Sequence, residues 1–228
     1  MGYIGGYKQV EQIKTEQMKY IFIIFFVLSI QSSFAQIGTN RIDKEYFLAG
    51  TLSDYMGRSK SATLYEVVEC YNKNELPLVL KLDSNLKVDY PELQIYYYPD
   101  SNIIELRSRQ LTERMNKLYR FKSFDHLGRE FSTYMGELKP NKFKTSVQKN
   151  SFIAGIYTRF GIKNDTTYCI RMYNSYSKAK LCAGLLKKMG GQNVQYIIIS
   201  GCPVSHIIYF NPTIELEHLL SETMYLKD

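Results

Sequence analysis

One short pattern occurs twice in this chain and constrains any fold it can adopt. Phe47-Leu48-Ala49-Gly50 is followed by Ser53, Tyr55 and Gly57, and Phe152-Ile153-Ala154-Gly155 is followed by Thr158, Phe160 and Gly161. Downstream, Leu93-Gln94-Ile95-Tyr96 is echoed by Val194-Gln195-Tyr196-Ile197, and Ser101-Asn102-Ile103-Ile104 by Ser205-His206-Ile207-Ile208. The matches keep their order at offsets of 101 to 105 positions, as a duplicated unit with small gaps would. A further echo, Tyr55-Met56-Gly57 with Tyr134-Met135-Gly136, falls outside that register and is set aside.

The second copy is the easier to read. Residues 152–160 and 167–173 have the composition of two strands joined by a polar turn. Residues 177–189 read as a helix with Cys182, Leu185, Leu186 and Met189 on one face, closed by Gly190-Gly191. Two more strands, 194–200 and 205–210, flank Gly201-Cys202-Pro203, and Pro212 opens a helix over 213–224. In the first copy, strands are expected at 46–52, 63–71, 77–82, 93–98 and 103–107, with no helix in the place of 177–189. A short helix from Thr112 and a strand over 118–124 follow. The expected class is α+β: antiparallel sheet with one or two helices on a face, built from a duplicated β-β-(α)-β-β unit. The division this predicts is a β-rich lobe over 36–106, a connecting segment over 107–151 and an α+β lobe over 152–228.

Lys19, the apolar run from Tyr20 to Leu28, and Ser33 and Ala35 at the minus-3 and minus-1 positions of a cut before Gln36 have the three parts of a secretory signal. The apolar run is shorter than the roughly 20 residues that span a bilayer. Residues 1–17 precede this complete signal, which makes Met18 the natural first residue. The expectation is therefore an exported chain, periplasmic or extracellular, with no transmembrane helix once the signal is removed.

The formal net charge is +7, and most of it falls in the middle of the chain. Residues 107–149 hold 11 basic and 4 acidic groups and interleave aromatics with bases, as in Tyr119-Arg120-Phe121-Lys122 and Lys142-Phe143-Lys144. Arg120, Lys122, Lys142 and Lys144 are the candidate ligand-binding residues, since cations and rings together suit an anionic partner. Export turns that expectation toward an acidic glycan, a lipid headgroup or an acidic protein surface, and away from nucleic acid. Alternation of basic and apolar residues is also what a half-buried strand looks like. Tyr96-Tyr97-Tyr98 likewise suits a contact surface or a strand covering both its faces.

Four cysteines, Cys70, Cys169, Cys182 and Cys202, allow two disulfides in three connectivities in an oxidising compartment. Their spacing matches no zinc pattern, and the three histidines are scattered, so neither metal nor cofactor is expected. Cys202 with His206 is the one local pair resembling nucleophilic machinery. Glu66 with Glu69 and Glu215 with Glu217 make poor acid/base pairs: one would straddle a strand, and the other suits the first turn of a helix. Asp125, His126, Gly128 and Arg129 read as a polar turn. With no coherent catalytic set, the chain reads as a non-catalytic binding or structural module of the cell envelope or extracellular space. The alternative is a secreted hydrolase using Cys202 with His206 or His126.

Overall fold

In the computed structural model both copies of the Phe-x-Ala-Gly pattern are helical, and they cross each other. The structure describes residues 42–60, 66–124, 133–164 and 167–224. Helix α1 (Lys44–Thr51) starts on Asp43, whose carboxylate accepts from the Glu45 and Tyr46 amides at 3.2 Å. Helix α4 (Ser146–Phe160) starts on a capping box in which Thr145 and Gln148 satisfy each other's backbone amides. The strands expected at 46–52 and 152–160 are therefore corrected to helices. The physical reason is burial: Tyr46 to Thr51 and Ser151 to Thr158 are buried on every side, so no polar face reveals the 3.6-residue period.

The crossing explains why the pattern ends in glycine. A Cβ on Gly50 would overlap the Phe152 carbonyl oxygen, and one on Gly155 would overlap the Phe47 carbonyl oxygen. Each copy thus supplies the gap into which the other's backbone fits, and only the missing side chain permits this approach.

From this helix pair each half of the chain runs through the same sequence of elements. After α1 come β1 (Arg58–Lys60), β2 (Val67–Asn72), α2 (Leu76–Leu86), β3 (Gln94–Tyr98), β4 (Ile103–Arg107) and α3 (Arg109–Asn116). After α4 come β7 (Gly161–Asn164), β8 (Thr167–Tyr173), α5 (Tyr176–Lys188), β9 (Gln192–Ile199), β10 (Ser205–Asn211) and α6 (Ile214–Met224). The strand expected at 77–82 is the middle of α2, with Pro77 in the first turn, where its missing N–H costs nothing, and Leu78, Val79, Leu82 and Leu86 buried. That helix occupies the place of α5, which the sequence had left empty. The repeat is thus α-β-β-α-β-β-α, and the class is α+β with antiparallel sheets, as expected.

The sheets follow the repeat with one exchange. The second half has the order β7-β8-β10-β9 and the first half β2-β4-β3. The strand corresponding to β7 is β1, which pairs instead with a hairpin inserted between the halves, β5 (Tyr119–Phe124) and β6 (Thr133–Leu138), in the order β1-β6-β5. Arg58 lies opposite Gly136 and Lys60 opposite Tyr134. The echo of Tyr55-Met56-Gly57 in Tyr134-Met135-Gly136 therefore abuts this strand pairing. Inward residues of most of these elements, among them Tyr71, Ile104, Leu106, Tyr157, Ile170, Ile208 and Phe210, join one core. Among the described residues no helix is long and apolar enough to cross a membrane.

Candidate functional site

The densest polar centre lies where α1 ends. The last carbonyls of a helix lack intrahelical partners and carry the negative end of its dipole. Here two cations from the second half meet them. Lys178 of α5, fully buried, donates through Nζ to the carbonyls of Ala49 (3.0 Å), Gly50 (3.3 Å) and Leu52. Arg159, in the last turn of α4, donates to the Thr51 carbonyl at 2.6 Å and the Cys70 carbonyl at 3.0 Å.

Three carboxylates balance these charges. Asp54 lies 3.2 Å from Lys178 Nζ, and the Tyr119 hydroxyl reaches both its oxygens, at 2.8 and 3.0 Å. Glu75 receives Arg159 Nε at 2.7 Å, and Glu69 lies 3.5 Å from Arg159 Nη1 while accepting from the Ser53 amide and hydroxyl at 2.8 and 3.0 Å. The Arg159 guanidinium also sits 4.4 Å over the Tyr71 ring. Burial holds the Lys178 ammonium below the usual lysine range, with Asp54 and Glu69 opposing it. Burial also pulls on Arg159, but Glu69, Tyr71 and Glu75 outweigh it and hold the guanidinium above its usual range. The Asp54, Glu69 and Glu75 carboxylates are thus all committed to protein donors, and the centre acts as a clamp between the halves.

The second region with chemical character is the outward face of the two repeat-related sheets. In β2-β4-β3 it presents Gln94, Tyr96 and Tyr98 opposite Arg107, Glu105 and Ile103. In β7-β8-β10-β9 it presents Arg171 and Tyr173, then Ile197 and Ile199, with half-buried Ser205 and buried Ile207 of β10 between them. Register alternation sends the neighbouring residues of β4, β8 and β10, such as Ile104, Leu106, Ile170 and Ile208, to the core, whereas Tyr97 and Ile198 on the edge strands stay exposed.

The residues singled out in the sequence fall in separate places. Arg120 and Lys122 lie on β5 and share Glu137 on β6, at 3.0 and 3.3 Å. Lys142 and Lys144 are exposed on either side of buried Phe143, ahead of α4. Cys202 is exposed in the turn between β9 and β10, whereas His206 is buried on β10, its Nδ1 2.9 Å from the Tyr196 hydroxyl and its pKa lowered by burial. All four cysteines are free thiols, Cys70 and Cys202 exposed, Cys169 and Cys182 buried. Among the described residues no cluster of metal-ligating side chains occurs. The 1–17 extension, the signal segment 18–35 and the turn holding His126 lie outside the described residues.

Of the clamp residues, Glu69 entered the sequence reading only as half of a poor acid/base pair and Tyr119 only as part of a basic aromatic stretch, while Asp54, Glu75 and Arg159 were passed over, although the repeat held a signal for two of them. Asp54 stands four positions after Gly50 and Arg159 four positions after Gly155, so one repeat position carries opposite charges in its two copies.

No protein-family model matches this chain. No curated protein matches it. Among solved structures, full-length DUF199/WhiA from Thermatoga maritima is similar at 11% identity, over 82% of this chain and 58% of that chain, with a TM-score of 0.41. The chain therefore spans less than two thirds of the length of the protein it resembles. Several expectations find no counterpart in this neighbour and are withdrawn. They are the exported envelope module and its secreted hydrolase alternative, the periplasmic or extracellular location, and the glycan, lipid or acidic-protein partner with nucleic acid excluded. That exclusion rested on export alone, and export rested on residues outside the described part. At a TM-score of 0.41 the likeness transfers no activity, ligand or compartment in their place.

Proposed function

We propose that this protein binds duplex DNA through the outward faces of its two repeat-related sheets. The observation that carries the reading is the duplicated face itself: two antiparallel sheets of matching connectivity, each turning Tyr and Arg outward, on a chain of net charge +7. Strands of an antiparallel ribbon fit the major groove of B-form DNA, whereas the deep, narrow major groove of duplex RNA does not admit them. Lys142 and Lys144, exposed beside α4, are phosphate contacts in this reading. Arg120 and Lys122 contribute less because Glu137 already offsets them. The saturated clamp supports binding without chemistry on the strand, since each of its carboxylates is held by Lys178, Arg159, Tyr119 or Ser53.

Fluorescence anisotropy with a labelled duplex of about 30 base pairs tests this. Binding should weaken steeply with salt, and K142A with K144A should flatten the dependence of log K on log salt by about one per lysine lost from a phosphate. Absence of binding at low salt, or preference for single strands or duplex RNA, overturns the reading.

A further inference from the structure

The two sheets match in connectivity but not in the state of their arginines. Each carries one arginine on its outward face, Arg107 on β4 and Arg171 on β8. Arg107 is engaged within its own sheet through Nε and Nη2. Its Nη2 lies 2.6 Å from Glu105 and 2.9 Å from the Tyr98 hydroxyl, its Nε donates to Glu105 at 2.8 Å, and the guanidinium rests 4.7 Å over the Tyr96 ring. This arrangement uses the planar fork that a guanidinium otherwise offers to a base edge. Arg171 is exposed, lies opposite buried Ile207, and has buried Cys169 and exposed Tyr173 as its same-face neighbours on β8. Among the described residues no carboxylate pairs with it. Its field reaches the Cys169 thiol, where it lowers a pKa that burial raises.

Resting on the duplex-DNA reading, we infer that the two faces are unequal: the β7-β8-β10-β9 sheet reads sequence through Arg171, and the β2-β4-β3 sheet supports the duplex with Arg107 withheld by Glu105. An unpaired arginine on a strand laid along the major groove can donate both arms to O6 and N7 of a guanine. The setting favours such a contact, because Ile207 offers the fork no competing partner and the exposed side chain of Ile197 on the same face suits a thymine methyl. The Nε–Nη2 edge of Arg107 is already taken up by Glu105 and Tyr98, so no two-armed contact through that edge is open to a base.

The test uses the full chain and a pool of duplexes with randomised central positions, enriched on the wild type and sequenced. Arg171→Ala should weaken binding to the enriched sequence by about 10-fold or more and flatten the preference at one G·C position. Arg171→Lys should keep the wild-type salt slope and still lose that preference, because an ammonium lacks the fork. Arg107→Ala should change affinity by less than about 3-fold and leave the preference intact. The assignment is overturned if Arg107→Ala costs as much as Arg171→Ala, or if Arg171→Ala weakens all duplexes equally and lowers the salt slope by about one, the mark of a phosphate contact. Enrichment without any base preference overturns it as well. A wild type that fails to bind duplex DNA at low salt is a different result, and it refutes the reading of the preceding subsection.

Discussion

At the scale of single residues, the four thiols form an ordered series. Cys202 sits in an exposed turn. Cys70 also reaches the surface, but its sulfur lies 3.9 Å from Glu105, and burial, Glu69 and Glu105 together push the thiol up to about 11. Cys182 is wholly buried and its thiol is raised by that burial, and Cys169 is nearly so. Since the thiolate is the reacting form, iodoacetamide on the native protein near pH 8 should label Cys202 first. Cys70 should follow roughly tenfold more slowly, because lower thiolate population is only partly offset by greater intrinsic nucleophilicity. Cys169 and Cys182 should react only after unfolding. Peptide mapping of a time course checks the order, and fast labelling of Cys182 in the native state would contradict the burial described. His206 shows why local sequence misleads at this scale. It stands four residues after Cys202, but strand alternation turns it inward to Tyr196, so proximity along the chain does not put its imidazole beside an exposed thiol.

At the scale of elements, what the sequence reveals depends on whether an element has two different faces. The strands β3, β4, β8, β9 and β10 alternate or carry dense β-branched and aromatic residues, and α5 has a lysine-bearing outer face, so all six were readable to within a few residues. The two helices that define the fold were not, because α1 and the buried part of α4 face protein on all sides. Leu78-Val79-Leu80 in α2 resembles a strand for a different reason, because exposed Leu80 continues the apolar run onto the solvent side of the helix. What could be read was the repetition of Phe-x-Ala-Gly, and its physical meaning is the crossing. Gly50→Ala and Gly155→Ala should each destabilise by about 3 kcal/mol or more, since the added carbon meets backbone that cannot move aside. Gly184→Ala, in α5 with open space around its Cβ position, should stabilise by roughly 0.5–1 kcal/mol through helix propensity. Denaturant melts of the three variants decide this, and equal effects at all three would remove the crossing from the account. The outward sheet face was legible only as composition: Tyr96-Tyr97-Tyr98 was visible as a surface or a strand and is an exposed strand, while the difference between Arg107 and Arg171 depends on which neighbours the register supplies.

At the scale of the whole molecule, the tyrosines couple stability to alkaline pH. Tyr71 and Tyr119 are fully buried, and burial holds both phenols above their ordinary value, with Asp54 adding to the effect on Tyr119. Between about pH 10, where an unfolded tyrosine ionises, and the raised native value, the unfolded chain loses a proton that the native protein keeps. Stability from these groups is therefore complete below that window and falls through it, by about 1.4 kcal/mol per pH unit for each tyrosine. Lys178 works in the opposite direction, since its lowered pKa makes stability rise with pH until an unfolded lysine would also lose its proton, near pH 10.4. The denaturant midpoint should thus hold or climb toward pH 10 and drop steeply above it, with the buried tyrosines' share of the tyrosinate absorbance appearing together with unfolding, after the exposed tyrosines have ionised. Complete tyrosinate formation in a folded protein would refute this. The crossing of α1 and α4 also bears on how the chain is made. Gly50 and Gly155 are 105 positions apart in the sequence, and Lys178 bonds the Ala49 carbonyl across 129. At the roughly 5–20 residues per second of synthesis, α1 must wait on the order of 5–20 s for the backbone that covers it. During that interval the nascent first half exposes an apolar helix, so the speed of translation through the hairpin and α4 helps set how much of the protein reaches its native state.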